Sequence, residues 1–303
     1  MTQLNIWQTI FLALLQGVSE LFPVSSLGHT VIFPGLFGWG NLELNTACGG
    51  RSCFLPIITA LHLGTSIALI LYFWRDWLKV VQTMVNSVKQ GEMRRDSDEC
   101  VTWLVIVGCV PVGLAGVFLK DPLEKLFGSP MLAAAFLVVN GSVLFLAEAW
   151  RRRQESSLSK LPPKEREAHF RPLKSLTWKE ALIVGSFQVL ALVPGFSRSG
   201  MIMVGGLSVR LSHEDAARFA FLTGAPVIFG AAAVEIPYLF SQPHILGLVF
   251  MGMVLAGIAA FLSTRFLTKY FETGRLTPFA FYCWGAGLIA LILFFTVLRG
   301  NIA

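Results

Sequence analysis

Apolar residues fall in long blocks along the chain, separated by short polar segments. Six blocks, at about 54–74, 101–119, 131–150, 217–238, 246–263 and 279–298, are long enough to cross a bilayer as helices, which takes roughly 20 mostly apolar residues. Two further blocks, 5–37 and 179–208, are interrupted near their middles. The first break reads Pro23, Val24, Ser25, Ser26, Leu27, Gly28, His29. The second reads Pro194, Gly195, Phe196, Ser197, Arg198, Ser199, Gly200. A polar break at membrane depth cannot face lipid, so it must be buried in protein or line a wet cavity. Each interrupted block is therefore expected to be a re-entrant hairpin of two short helices.

Composition agrees with the pattern. The chain has 303 residues, 54% hydrophobic and only 14% charged, with a mean hydropathy of +0.66. A soluble domain carries about a quarter charged residues. A soluble enzyme, a disordered chain and a nucleic-acid binder are all excluded, and the net charge of +6 falls to cytoplasmic loops instead. Three segments, 75–99, 151–179 and 264–277, hold most of the 24 basic residues. Placing all three in the cytoplasm orients the six spans consistently and leaves both termini outside. The first hairpin then enters from outside and the second from the cytoplasm.

The expected fold is an all-α polytopic membrane protein: six spans plus two re-entrant hairpins, arranged as an inverted-topology repeat. The first repeat covers 1–150, a cytoplasmic linker 151–178, and the second repeat 179–303. Trp7 precedes Pro23 by the same interval as Trp178 precedes Pro194, and the same shift overlays Ser26 on Ser197. Inverted repeats with broken helices place their site between the repeats, near the midplane. Of the five Cys, only Cys48 and Cys53 lie close together, in a polar loop where a disulfide is feasible.

Ionisable groups inside apolar segments are functional candidates. Here they are Glu20, His29, His62 and Arg198, with Glu235 nearer an edge. A helix starting after Pro23 would expose free N–H groups near Ser25 and Ser26, an anion site. Ser26 and His29 share a helix face at i, i+3, and a hydroxyl beside an imidazole is the minimum for an activated nucleophile. Glu20 could orient His29, accept the serine proton or bind a divalent cation. A capped helix start with a polar network explains the same residues without chemistry. Arg198 suits bidentate binding of phosphate oxygens, and an ion pair with Glu20 is compatible with that role. His62 fits a hydrogen-bonded core residue and could also face the site. Together the breaks suit a phosphate or diphosphate better than a neutral solute. A P-loop is absent. The acid-phosphatase signature fails because Val204 stands where its His belongs, no Cys-based phosphatase loop is present, and there is no H-E-x-x-H pattern.

On these residues the chain resembles the bacterial undecaprenyl pyrophosphate phosphatases of the bacitracin-resistance type. The run from Gln16 to His29 is similar to the family's first motif, and Pro194 to Gly200 to its second. The runs Ala217 to Leu222 and Thr277 to Tyr282 also match. The resemblance implies hydrolysis of undecaprenyl diphosphate to the monophosphate and inorganic phosphate, recycling the carrier lipid for cell-wall synthesis. It implies a divalent cation, Mg2+ or Ca2+, an inner-membrane location and a site open to the periplasmic side. Carried over by position, Ser26, His29 and Glu20 are catalytic. Arg198, Ser25, Ser197, Ser199 and Gly195 bind substrate, and Glu20 with Gln16 holds metal. Ile202 stands where the family usually has Thr, and His62 where it often has Gln. The loop 38–53 looks expanded. The expected partners are a long-chain polyprenyl diphosphate and the bilayer, with no nucleic acid and with a homodimer compatible. The alternative function is a transporter or flippase for a polyprenyl phosphate lipid or another anion.

Overall fold

The computed structural model describes residues 4–39, 47–48, 51–90, 99–119, 126, 129–158 and 170–300. Helix α1 (Ile6–Ser19) is followed by α2 (Ser26–Leu36) and by a two-stranded ribbon of β1 (Ala47–Cys48) and β2 (Arg51–Ser52). Next come α3 (Phe54–Tyr72), α4 (Trp74–Gln90), α5 (Glu99–Phe118) and α6 (Pro130–Leu158). The second half holds α7 (Trp178–Ser186), α8 (Arg198–Ser208), α9 (His213–Glu235), α10 (Pro243–Tyr270) and α11 (Thr277–Gly300).

Among the described residues, six helical stretches are long and apolar enough to cross a membrane: Phe54–Tyr72, Val101–Phe118, Pro130–Leu158, His213–Ser241, Pro243–Tyr270 and Thr277–Thr296. They match the six expected spans, and three of them, Pro130–Leu158, His213–Ser241 and Pro243–Tyr270, extend beyond the expected stretch at both ends. The apolar block at 131–150 ends at Arg151, yet α6 runs on to Leu158, and α10 runs past 263 to Tyr270. Hydropathy falls at the first charges, whereas the helical hydrogen-bond ladder does not need apolar side chains. The linker drawn over 151–178 therefore begins as helix. Its central residues, 159–169, lie outside the described residues, as do 40–46 and 49–50 of the loop 38–53 and 91–98 of the loop 75–99.

The basic stretch from 75 is a helix rather than a loop. In α4, Trp74, Leu78, Val81 and Val85 are exposed along one side, Val80 and Thr83 are buried on another, and Arg75 and Lys79 lie between. A helix with one apolar and one basic side fits the membrane–water interface. Counting charges alone hides such a periodicity.

Both interrupted blocks form paired short helices. α1 opens with a capping box, in which Asn5 Oδ1 accepts from Gln8 N at 2.9 Å and Gln8 Oε1 accepts from Asn5 N at 3.2 Å. α7 opens the same way on Thr177 and Glu180. At 14 residues α1 is too short to span a membrane. Each first short helix packs on a span of the other half: α1 on α10, and α7 on α5. Likewise α3 packs on α10, and α9 on α5.

Glycine sets the closest approach. A Cβ at Gly64 of α3 would run into the main-chain carbonyl of Met253 on α10. Close backbone contact through small residues is how apolar helices associate where burial from water gives no drive. At the other end, Glu148 of α6 is buried and accepts from His213 Nε2 at 2.8 Å, Arg275 Nη1 at 2.9 Å and Leu276 N at 3.2 Å. It ties α6 to the starts of α9 and α11. Arg218 pairs with Asp76 of α4 at 2.5 Å.

A β-branched side chain at Gly64 must push α3 from α10. Gly64→Val is expected to destabilise the protein by at least about 1–3 kcal/mol, read as a lower thermal midpoint in detergent. An unchanged midpoint would contradict this packing.

Candidate functional site

The two breaks meet, and each supplies what the other lacks. Ser25 is the N-cap of α2, with φ 66°, a region a non-glycine residue occupies only when its surroundings enforce it. Its Oγ accepts from Gly28 N at 3.1 Å and from Gly195 N of the second break at 3.2 Å. Its carbonyl accepts from His29 Nδ1 at 2.7 Å. Ser197 caps α8, its Oγ accepting from Gly200 N at 3.1 Å. The Oγ of Ser199 donates to Phe22 O in the first break at 3.2 Å. Gly195 has φ +108°, and a Cβ there would lie 2.5 Å from Ala133 O on α6. Only glycine fits that turn so close to a neighbouring helix.

Asn140 of α6 joins both breaks. Its Oδ1 accepts from Ser197 N at 3.0 Å, and its Nδ2 donates to Pro23 O at 3.1 Å. The residue is fully buried.

Glu20 is the hub. Ser26 Oγ donates to Glu20 Oε2 at 2.5 Å, and Gln16 Nε2 donates to the same oxygen at 2.9 Å. Arg198 Nη2 donates to Oε1 at 2.6 Å. His62 Nε2 lies 3.1 Å from Oε2, while its Nδ1 donates to Ile58 O at 2.8 Å. The guanidinium fits because position 224 is glycine: a Cβ at Gly224 would collide with Arg198 Nη1. These groups floor a cavity of about 210 Å³, lined by Glu20, Ser26, His62, Ser197 and Arg198 below apolar walls that include Leu55, Ile58, Phe196 and Ile228.

Of the residues expected at the site, the structure brings Glu20, Ser26, Gln16, Arg198, Ser25, Ser197, Ser199 and Gly195 into one constellation from both halves. His29 is buried but turned away from the cavity lining, held by Ser25 O and by Tyr282 Oη at 3.0 Å. The Ser26–His29 pairing anticipated from i, i+3 spacing is not among the hydrogen bonds of either side chain, and Glu20 does not orient His29. His62, weighed mainly as a core residue, lines the cavity against Glu20 instead.

The sequence reading missed Asn140, Gly224 and Tyr282. Asn140 carried a signal, as a lone amide in an apolar span, but an amide bears no charge and lies outside both breaks. Gly224 carried none, since its role is the space it leaves.

Two buried polar atoms at the hub have no hydrogen-bond partner among the described residues: Gln16 Oε1 and Arg198 Nη1. Gln16 Oε1 and the Glu20 carboxylate are oxygen donors of the kind a hard cation takes, although Gln16 turns its Nε2 to Glu20 and is not among the residues lining the cavity. Among the described residues no cluster of three or more His, Cys, Asp or Glu side chains could hold a metal ion. A cation here would therefore rest on Glu20 and Gln16 together with its ligand's oxygens.

A family model described as bacitracin resistance protein BacA matches residues 9–289. An undecaprenyl-diphosphatase of Mycolicibacterium paratuberculosis is 41% identical over 300 residues, covering 95% of this chain and 97% of that protein. One of Acidiphilium cryptum is 42% identical over 291 residues, covering 94% and 96%. An undecaprenyl-diphosphatase 2 of Frankia alni is 36% identical over 341 residues, covering 97% and 99%.

Removing one partner of a buried ion pair strands the other. Glu20→Leu is expected to destabilise by about 3–5 kcal/mol, and Glu20→Leu combined with Arg198→Leu to recover much of that loss. Thermal midpoints of the single and double variants measure this. A double variant that loses as much as Glu20→Leu and Arg198→Leu added together would mean the pair is not coupled.

Proposed function

We infer function from membership: the chain belongs to the bacitracin resistance protein BacA family, and it is an integral membrane phosphatase that hydrolyses undecaprenyl diphosphate to undecaprenyl phosphate and inorganic phosphate. The product is the carrier lipid reused in cell-wall synthesis, and its regeneration underlies bacitracin resistance. The observation that carries the assignment of chemistry to residues is the Glu20 carboxylate, bonded at once to the Ser26 hydroxyl and the Arg198 guanidinium on the floor of an apolar-walled cavity. An anion carrier would use the guanidinium but has no need of a hydroxyl aimed by a carboxylate.

In this reading the diphosphate rests on Arg198 and on the N–H groups opening α2 and α8, where helix starts favour negative charge. Arg198 stabilises charge on the transferring phosphoryl group. Ser26 Oγ bonds to the terminal phosphorus, the anhydride P–O bond breaks, and undecaprenyl phosphate leaves. Glu20 takes the serine proton. Water then cleaves the phosphoserine: Glu20 returns its proton to the departing Ser26 Oγ, restoring the hydroxyl, and inorganic phosphate is released. Ser25, Ser197, Ser199 and Gly195 shape the cradle. His29 enters as a support for the first break, through the Ser25 carbonyl, rather than as the base. His62 adds a polar group to the same floor.

A divalent cation, Mg2+ or Ca2+, would sit on Glu20 and Gln16 Oε1, and when bound it would neutralise phosphate charge and polarise the phosphoryl oxygen. The isoprenoid tail would leave along the apolar walls, where non-specific contact suffices.

The cavity is assigned to the periplasmic side of the inner membrane. Supporting this, its wall residues Leu55, Ile58, Thr59 and His62 lie in the half of α3 next to the Cys48–Cys53 disulfide, and disulfides belong to oxidising compartments. The basic segments lie at the other ends of the spans. The exchanged packing of α1 on α10 and α7 on α5 supports the inverted repeat, with halves meeting at the hub. One chain supplies every group named, and a homodimer is compatible with the scheme.

In detergent with undecaprenyl diphosphate, Arg198→Ala is expected to lower phosphate release about 10²–10³-fold, and Ser26→Ala to abolish phosphoenzyme trapping and turnover together. Near-normal turnover by Ser26→Ala would refute its role as nucleophile. Chelation with EDTA is expected to stop phosphate release, and excess Mg2+ or Ca2+ to restore it; activity unaffected by exhaustive chelation would remove the cation from the scheme.

A further inference from the structure

Asn140 stands midway along α6 and commits its carboxamide to two main-chain atoms from opposite halves of the protein. Oδ1 holds Ser197 N at 3.0 Å, and Nδ2 holds Pro23 O at 3.1 Å. The Nδ2 group also approaches Cys283 Sγ of α11 at 3.3 Å. Both main-chain atoms sit next to reacting groups. Ser197 is the cap from which α8 starts with Arg198. Pro23 lies in the turn between Glu20 and Ser26.

The other ties are made by residues of the breaks or next to them, among them Gly195 N to Ser25 Oγ and the hydroxyls of Ser197 and Ser199 to Phe22 O. Asn140 differs in belonging to neither. It sits on a long spanning helix that also closes around Gly195 through Ala133 and Phe136. That helix is a rigid rail, and the carboxamide fixes both breaks to it.

We propose that Asn140 is a positioning residue for the phosphatase reaction: by holding Pro23 O and Ser197 N, it sets the register of Ser26 against Arg198. This rests on the reading of the cavity as the diphosphatase site. In that reaction one phosphorus must meet Ser26 Oγ in line while its oxygens stay on Arg198. An amide is the side chain for the task, because it offers an acceptor and a donor on one rigid plane. Leucine has nearly the same shape and offers neither.

The position has a signature that a merely structural amide lacks. Arg198 still binds the diphosphate in a loosened site, so substrate binding survives while the approach of the hydroxyl is lost. Initial rates are measured for monodisperse wild type, Asn140→Leu and Asn140→Ser across concentrations of undecaprenyl diphosphate, per folded molecule. Asn140→Leu is expected to lose about 100-fold in kcat with KM changed by less than about threefold, the pattern of a misplacement near 1 Å. Asn140→Ser, which keeps a polar group at the position but reaches less far, is expected to fall between.

Wild-type kcat in folded Asn140→Leu overturns the proposal, as does a rise in KM with kcat intact. Failure of both variants to yield folded protein also overturns it, since Asn140 would then serve the fold alone. A wild type that releases no phosphate sinks the functional reading instead, so the two failures are told apart.

Discussion

A helix interrupted inside an apolar slab leaves main-chain N–H and C=O groups without partners, and an unpaired one is expensive where no water can reach it. Here two interruptions satisfy one another. Gly195 N is taken by Ser25 Oγ, Phe22 O by Ser199 Oγ, and Pro23 O and Ser197 N by Asn140. Neither break is stable against lipid alone. The constraint that forces them together also brings Glu20 and Ser26 from one half against Arg198 from the other, so the site follows from closing the main-chain account.

The surrounding helices act as a frame for that junction. Each half lends a span to the other's short helices, α10 for α1 and α5 for α7. The carboxylate of Glu148 locks three helices at the far end. The apolar walls above the polar floor fit an amphiphile presenting its head first and leaving its tail among the spans.

Much of this was legible in the residues. Six spans and two interruptions follow from hydropathy and from Pro and Gly, because a bilayer allows few other solutions. Glu20 and Arg198 stood out as charges too costly to bury without purpose, and Ser26 as a hydroxyl at the start of a helix. What the sequence withheld depends on direction and space. Whether His29 or His62 faces Glu20 is decided by how α2 and α3 are rotated, and a spacing of i, i+3 says only that two side chains share a face. Gly224 matters through the atom it lacks. Asn140 reads as one more polar residue until its two partners are seen to come from opposite ends of the chain. α4 is not evident from hydropathy, because its basic residues keep the stretch from reading as an apolar block.

The ribbon ahead of α3 bears on the cavity as well. Cys53 occupies the N-cap of α3 without giving it a side-chain cap bond, and Ser52 Oγ takes the Phe54 N–H at 3.2 Å instead. The first turns of this helix supply Leu55, Ile58 and His62 to the wall. Helix ends fray before their middles, so this wall would be the first to loosen. The bond from Cys53 to Cys48 anchors that end covalently, adding to the one side-chain bond that Ser52 supplies, so the rim of the chamber keeps its shape.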